Sequence, residues 1–521
     1  MPIRPRQPAV LVAAGILLSR ITGLIRFRVF AYYFGLQSDA ADAFNAAFRI
    51  PNLLQGLFGE GALSASFIPV YAALNARGER RDADRVAGAV ASLLALAVGV
   101  LVLIGVLATP ILIAVIAPGF TGAKRELTIQ IVRVLFPGAG LLVMSAWCLG
   151  VLNSHHRFLL SYAAPVVWNA AMITTLIVFG AAAPERLAVT LAWGSVVGSF
   201  LQFAVQVPVV WRVAPDLRFA LDVASEHVRL VWRSFVPVLV SRGVVQASAY
   251  IDTLLASLLP TGAVTGLMNA QNVYMLPISL FGMSVAAAEL PAMSGVAAVE
   301  GTGTDALRAR LDAGLRQIAF FVVPSALALA ALGDVIAAAL FETGRFRHED
   351  SIFVWQILAG SAVGLLASTL GRLYASTYYA LRDTRTPLRY AIVRVVLAMG
   401  LGYVLAVPVP QMLGVPRLVG AAGLALSSSV AGCVEMWLLR RALNARIGNT
   451  GLPVGYLAKL WVSAAAGGAV AWAVKLAIPT LHPVATAVLV LGPYGVVYFA
   501  AAFAFRIPEI SSMFDRLMRR R

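Results

Sequence analysis

The chain has 521 residues, of which 60% are hydrophobic and 12% charged, and it carries a formal net charge of +17. Soluble domains are usually about a quarter charged, so this composition excludes an ordinary soluble enzyme or nucleic-acid-binding module and points to a membrane protein of many spans. Cys148 and Cys433 both lie in apolar runs and read as small buried hydrophobes, not as a disulfide framework.

The N-terminus places Arg4 and Arg6 ahead of a short apolar run, the layout of a signal peptide. No small-residue cleavage site follows and the run continues past Arg20, so it reads as a retained first span. Crossing a bilayer takes roughly 20 apolar residues. Stretches of that length fall near 9–34, 40–74, 86–117, 127–152, 159–183 and 187–211, then near 234–259, 263–298, 317–341, 352–380, 388–407 and 418–439. A last pair falls near 457–478 and 484–505. The expectation is an all-α polytopic protein of fourteen transmembrane helices.

Loop charges orient these spans. With the N-terminus inside, the inward connections and the two termini hold about 27 cations, among them Arg77, Arg80, Arg81, Arg229, Arg233, Arg382 and Arg385, against about 7 outside, including Lys124 and Arg125. That asymmetry places both ends on the cytoplasmic side and accounts for the net charge without nucleic acid.

Three patterns recur at an offset of about 222–224 residues: Phe58-Gly59 with Pro69 and Phe281-Gly282 with Pro291; Gly140-Leu141-Leu142 and Gly364-Leu365-Leu366; Pro165 and Pro387. Six spans separate the copies, which therefore insert in the same orientation, as in the parallel repeats of transporters. Residues 1–228 and 229–450 form the two expected lobes, and 451–521 falls outside the repeat.

The first span, SRITGLIRFRVF over 19–30, carries Arg20, Arg26 and Arg28 and no acid. At 1.5 Å per residue from Ala9, Arg20 lies roughly 16 Å deep, near the middle of a core about 30 Å thick, with Arg26 roughly 25 Å and Arg28 roughly 28 Å in. Arg49 on the second span is again near mid-depth. Arg28 can snorkel, as can Arg133 and Arg372 near span ends. An arginine at the centre costs about 2.5–3.5 kcal/mol on insertion scales and needs a wet cavity or a partner. Two readings stay open: a cationic cavity for an anion, or internal pairs with Asp42, Glu60, Asp252 or Glu289. In the first half the cations outnumber Asp42 and Glu60, and a planar guanidinium suits phosphate. Gly23, Pro51 and Pro277 are places where helices can bend. No P-loop, zinc-ligand spacing or nucleophile elbow occurs, so no catalytic residue, metal or cofactor is expected, and His155 and His156 read as solvated loop residues.

The segments SRITGLIR (19–26), DAFNAAFRIPNLLQGLFGEGALSASFIPVYA (42–72), LFETGRF (340–346) and YYALRDTRTP (378–387), in order along nearly the whole chain, resemble the MurJ/MviN family of lipid II flippases. The resemblance implies the multidrug/oligosaccharidyl-lipid/polysaccharide exporter fold: two six-helix lobes related by a pseudo-two-fold, plus two C-terminal helices forming a groove for a polyprenyl tail. It implies as substrate lipid II, undecaprenyl-diphosphate carrying a disaccharide-pentapeptide, flipped by alternating access across the bacterial inner membrane. A flippase for another undecaprenyl-diphosphate glycan, such as an O-antigen unit, is the alternative. Membrane lipids and the cell-wall synthesis machinery are the other implied partners, nucleic acid is not, and the chain is expected to act as a monomer. Ser19, Arg20, Arg26, Asp42, Arg49 and Glu60 match polar positions of the family, and Asn52, Gln55, Arg242 and Asn272 complete the expected substrate contacts. Departures occur at Phe27, where relatives have Asp, at Gln55-Gly56, where they have a basic pair, and at Asn272, often Arg. The span 388–407 holds no acid, so no sodium site is expected there.

Overall fold

The computed structural model of the chain describes residues 7–510 apart from 59, 156, 223–224, 298–302 and 480. The expectations for Glu60 and Arg242 concern side chains outside the described ones. Among the described residues the regular structure is helical throughout, because a backbone in hydrocarbon must satisfy its own hydrogen bonds and a helix does so within one segment. In chain order the helices are α1 (Gln7–Phe34), α2 (Asp39–Phe58), α3 (Glu60–Ala76), α4 (Arg80–Ile116), α5 (Gly122–Ser154), α6 (Phe158–Phe179), α7 (Pro184–Val213), α8 (Glu226–Ser257), α9 (Ala263–Pro277), α10 (Ser284–Ala297), α11 (Gly303–Ala331), α12 (Gly333–Phe341), α13 (His348–Ala380), α14 (Arg385–Ala406), α15 (Pro408–Met412), α16 (Gly420–Ile447), α17 (Val454–Ala477) and α18 (Pro483–Ala504).

Eleven helices among the described residues are long and apolar enough to cross a membrane. The other three expected spans coincide with α1, α2–α3 and α8, each of which includes side chains outside the description. α1 runs unbroken through Gly23, with no local unwinding there. Pro51 is accommodated inside α2, whereas Pro277 ends α9 and opens a π-helical turn, Ile278–Met283, before α10. A turn of that kind loosens the regular ladder and often marks a functional position.

The chain divides into two compact units: Met1–Val264 with Thr343–Arg345, and Thr265–Glu342 with Phe346–Arg521. In the first, α5 packs against α2, α4 and α7, and α6 against α1 and α7. In the second, α13 packs against α11 and α16, and α14 against α16. The pairings α4–α5, α5–α7 and α6–α7 thus have counterparts in α11–α13, α13–α16 and α14–α16, which fits the sequence repeat. The packing boundary lies after Val264 and not at 228, because α8 lies against α2, α3 and α4. Its Phe235 ring meets Phe58 at a tilt, 5.8 Å between centroids, and joins the same apolar core.

α17 and α18 are fastened to the second unit by polar bonds as well as by apolar packing. Pro324 in α11 has no N–H for the carbonyl of Phe320 four residues back. The Tyr498 hydroxyl of α18 donates to that carbonyl at 2.5 Å, and Tyr494 donates to the Pro324 carbonyl at 2.6 Å. Lys475 pairs with the buried Asp334 at 2.5 Å. The linker ahead of α17 is held by Asp312, which accepts from the Gly451 N–H at 2.9 Å, and by Arg440, which donates to the Thr450 carbonyl.

Candidate functional site

In the first unit α1, α2 and α6 meet around Arg26. Its guanidinium lies 4.5 Å from the Phe27 ring centroid, 4.7 Å from Trp168 and 5.8 Å from Phe48, and Nη1 reaches the Met172 sulfur at 3.7 Å. Each ring presents a negative face to the cation. This cage stabilises the charge without neutralising it, and the buried Nε has no hydrogen-bond partner among the described residues. Phe27, a departure from the family pattern, is therefore part of the wall. Arg20, less than two turns toward the N-terminus of α1, is exposed. Ser19 beside it is half-buried, and its carbonyl accepts from Thr22, whose hydroxyl in turn accepts from Asn169 of α6 at 3.3 Å.

The second helix turns its charges the other way. Asp42 and Arg49 are seven residues apart, two helical turns, so they share one face. That face meets α8. Arg49 Nη1 donates to Thr253 Oγ1 at 2.6 Å, its carbonyl accepts from the Tyr250 hydroxyl at 2.8 Å, and Asp252 lies within electrostatic reach. On α8, Arg49 thus bonds to hydroxyls. Asp42 is 1% exposed. Its Oδ2 accepts from Lys124 Nζ at 2.9 Å and from the Gly262 N–H at 2.9 Å. Lys124 also pairs with Asp39 at 3.0 Å and lies 4.5 Å from the Phe120 ring. Asp39 accepts from Thr261 at 2.7 Å. Asp42 therefore ties the start of α2 to α5 and to the turn after α8.

Asn52 and Pro51 border a small cavity of about 10 Å³ with Phe48, Ser195 and Ser199, room for about one water. Gln55 is half-buried one turn further along α2. Asn272 belongs to the second unit, where its buried Nδ2 has no hydrogen-bond partner. Sequence reasoning missed Lys124 as the partner of Asp42, Thr253 and Tyr250 as the partners of Arg49, and the rings around Arg26. The polar group Tyr250-Ile251-Asp252-Thr253 inside an apolar span was the available signal. It also missed Arg394, whose Nε lies 3.1 Å from Glu435 in the second unit, with Arg372 and Tyr274 in the same electrostatic cluster. His155, read as solvated, lies 2.8 Å from the Tyr71 hydroxyl.

No acid accompanies Arg20, Arg26 and Arg28 on α1. A family model described as "Lipid II flippase MurJ" matches residues 30–502. A Burkholderia cenocepacia protein described as lipid II flippase MurJ is 34% identical over 445 residues, covering 84% of each chain. A Rhizobium meliloti protein described as a probable lipid II flippase MurJ is 30% identical over 512 residues, covering 94% of this chain and 92% of its own. Among solved structures, a lipid II flippase MurJ in an inward closed conformation superposes with a TM-score of 0.78 at 22% identity, over 96% of this chain and all of that one. An inward-facing multidrug MATE transporter superposes with a TM-score of 0.66 over 84% of this chain.

Proposed function

The chain belongs to the lipid II flippase MurJ family, and from that premise we propose that it carries lipid II from the inner to the outer leaflet of the bacterial cytoplasmic membrane, with both chain ends inside. The observation that carries the reading is the state of the arginines on α1. Arg20 is exposed near mid-depth, and Arg26 is caged by rings with an unmatched Nε. A guanidinium held away from water and from acids binds an anion at little further desolvation cost. A diphosphate supplies two negative groups and lone pairs in the geometry a planar fork donates to. The headgroup crosses by alternating access, its site opening first to one side and then to the other. Movement is driven by an ion gradient, by the membrane potential acting at about 2.3 kcal/mol per charge per 100 mV, or by consumption of product outside.

Depletion of the protein in its own cell tests this. Lipid II accumulates on the inner leaflet and becomes inaccessible to externally added hydrolase, and re-expression restores access. Accumulation of a different undecaprenyl-diphosphate glycan, with lipid II still exposed outside, overturns the assignment of substrate.

A further inference from the structure

A cavity of about 1080 Å³ opens along the N-terminal part of α8, where the described lining includes Glu226, Arg229, Leu230, Trp232, Arg233 and Val236. Val231 and Phe235 turn into the core, Val228 is buried there at the cavity wall, and Trp232 meets the Phe235 ring edge-on at 5.2 Å. The cavity-facing residues therefore stand on a packed helix. Arg229, Leu230, Arg233 and Val236 are exposed, although Arg229 also interacts within the protein, so Arg233 carries the argument.

Depth comes from the far end of the same helix, where Ser257 accepts from the Gly119 N–H at 3.2 Å. At 1.5 Å per residue, Arg233 lies roughly 36 Å from Ser257 and Arg229 roughly 42 Å. A bilayer core is about 30 Å thick, and about 40–45 Å with its headgroups. On the orientation set by the loop charges, both arginines sit in the inner headgroup layer. Among the described lining residues the two cations accompany one acid, Glu226, with His227 beside it. Leu230, Trp232 and Val236 continue the wall in apolar character, as a hydrocarbon chain continues from the phosphate that ends it. The volume is at the upper end of ordinary ligand sites, enough for a diphosphate and its first sugar.

We propose that this cavity is an entry site that captures the diphosphate of a polyprenyl-linked substrate at the inner headgroup layer, with Arg233 as its principal contact, before the headgroup moves to the deeper arginines of α1. The proposal rests on the flippase reading. An anionic phospholipid shares the same chemistry of phosphate on an apolar tail, and the test separates the two.

The full-length protein and its Arg233→Gln, Arg233→Lys and Arg233→Glu variants are reconstituted in phosphatidylcholine liposomes. Binding of undecaprenyl diphosphate and the concentration dependence of lipid II flipping are measured with and without a tenfold excess of phosphatidylglycerol. Arg233→Gln is expected to raise the half-saturating concentration about tenfold, the loss of one charge-assisted contact. The maximal rate falls by less than that. Arg233→Lys shows a smaller rise and Arg233→Glu a larger one, while phosphatidylglycerol competes weakly. An unchanged half-saturating concentration in Arg233→Gln and Arg233→Glu overturns the proposal, as does loss of maximal rate alone. Equal competition by phosphatidylglycerol reassigns the cavity to bulk anionic lipid and also overturns it. A wild-type protein that neither binds undecaprenyl diphosphate nor flips lipid II removes the flippase reading itself, a different failure from variants that match an active wild type.

Discussion

The start of α2 and the middle of α1 both hold charges in a membrane-spanning bundle and treat them in opposite ways. Asp42 is 1% exposed, and its carboxylate meets an ammonium and a backbone N–H from two other elements. Arg20 is exposed, and Arg26 faces three aromatic rings and a thioether, with a buried Nε that nothing accepts from. Both regions carry ionised groups that composition alone marks as functional. Only the second has capacity left over. A charge whose lone pairs or protons are matched inside the fold stabilises the fold, and one whose donors outnumber its acceptors is free to bind something that comes and goes.

The sharpest attempt to break this contrast is Arg20→Ala. Losing two charge-assisted bonds to a diphosphate lowers transport by about 100-fold or more, while insertion and thermal stability stay close to wild type. Arg20→Lys recovers part of it, because an ammonium cannot donate the paired fork. Complementation of a depleted cell by Arg20→Ala at normal expression places Arg20 outside the transport path.

Asp42→Ala should do the reverse. It strips Lys124 of its buried partner and leaves the Gly262 N–H unmatched, for a loss of about 3 kcal/mol in unfolding free energy, read from denaturation in detergent. Asp42→Asn keeps an acceptor for Gly262 and costs less. An Asp42→Asn protein that unfolds like wild type yet has lost transport moves Asp42 into the transport machinery and ends the contrast.

Neutral groups extend the same rule on a smaller scale. Tyr498→Phe leaves the Phe320 carbonyl, already deprived of a donor by Pro324, without a partner and costs about 1–3 kcal/mol. Shorter-lived contact of α18 with α11 should appear as faster hydrogen exchange in α18. Unchanged exchange there would show that the apolar seam alone holds the helix.

The smallest effect is at the solvent-facing turn before α14. Asp383 accepts from the N–H and hydroxyl of Thr386 and pairs with Arg446 at 2.8 Å, and these bonds hold its carboxyl down to about 2. A carboxyl lowered in the folded state stabilises it fully above its ordinary range near pH 4. That contribution is lost as pH falls from there through about 2. Stability of the wild type should slope downward across that window more steeply than that of Asp383→Asn, and equal slopes would leave the turn with no electrostatic part in folding.

Much of this was legible before any coordinates. The apolar runs that became α4–α7 and α16–α18 were plain because hydropathy adds along the chain, and twenty residues are enough to decide a span. The repeat was visible in its offset, and the family in the 42–72 and 378–387 motifs. Which charges would be used up was not legible. Lys124 is 82 residues from Asp42 and Thr253 is 204 from Arg49, and no local pattern says which face of α8 will meet α2 or where the turn at Gly262 will land. The cage around Arg26 likewise depends on Trp168 arriving from α6. Burial in a membrane is decided by the composition of a single segment, so sequence by itself determined it. Partnership is decided by the rotation and approach of segments far apart in the chain, and only the tertiary structure could say that Asp42 and Arg49 bond across helices while, among the described residues, the buried Nε of Arg26 meets no acceptor.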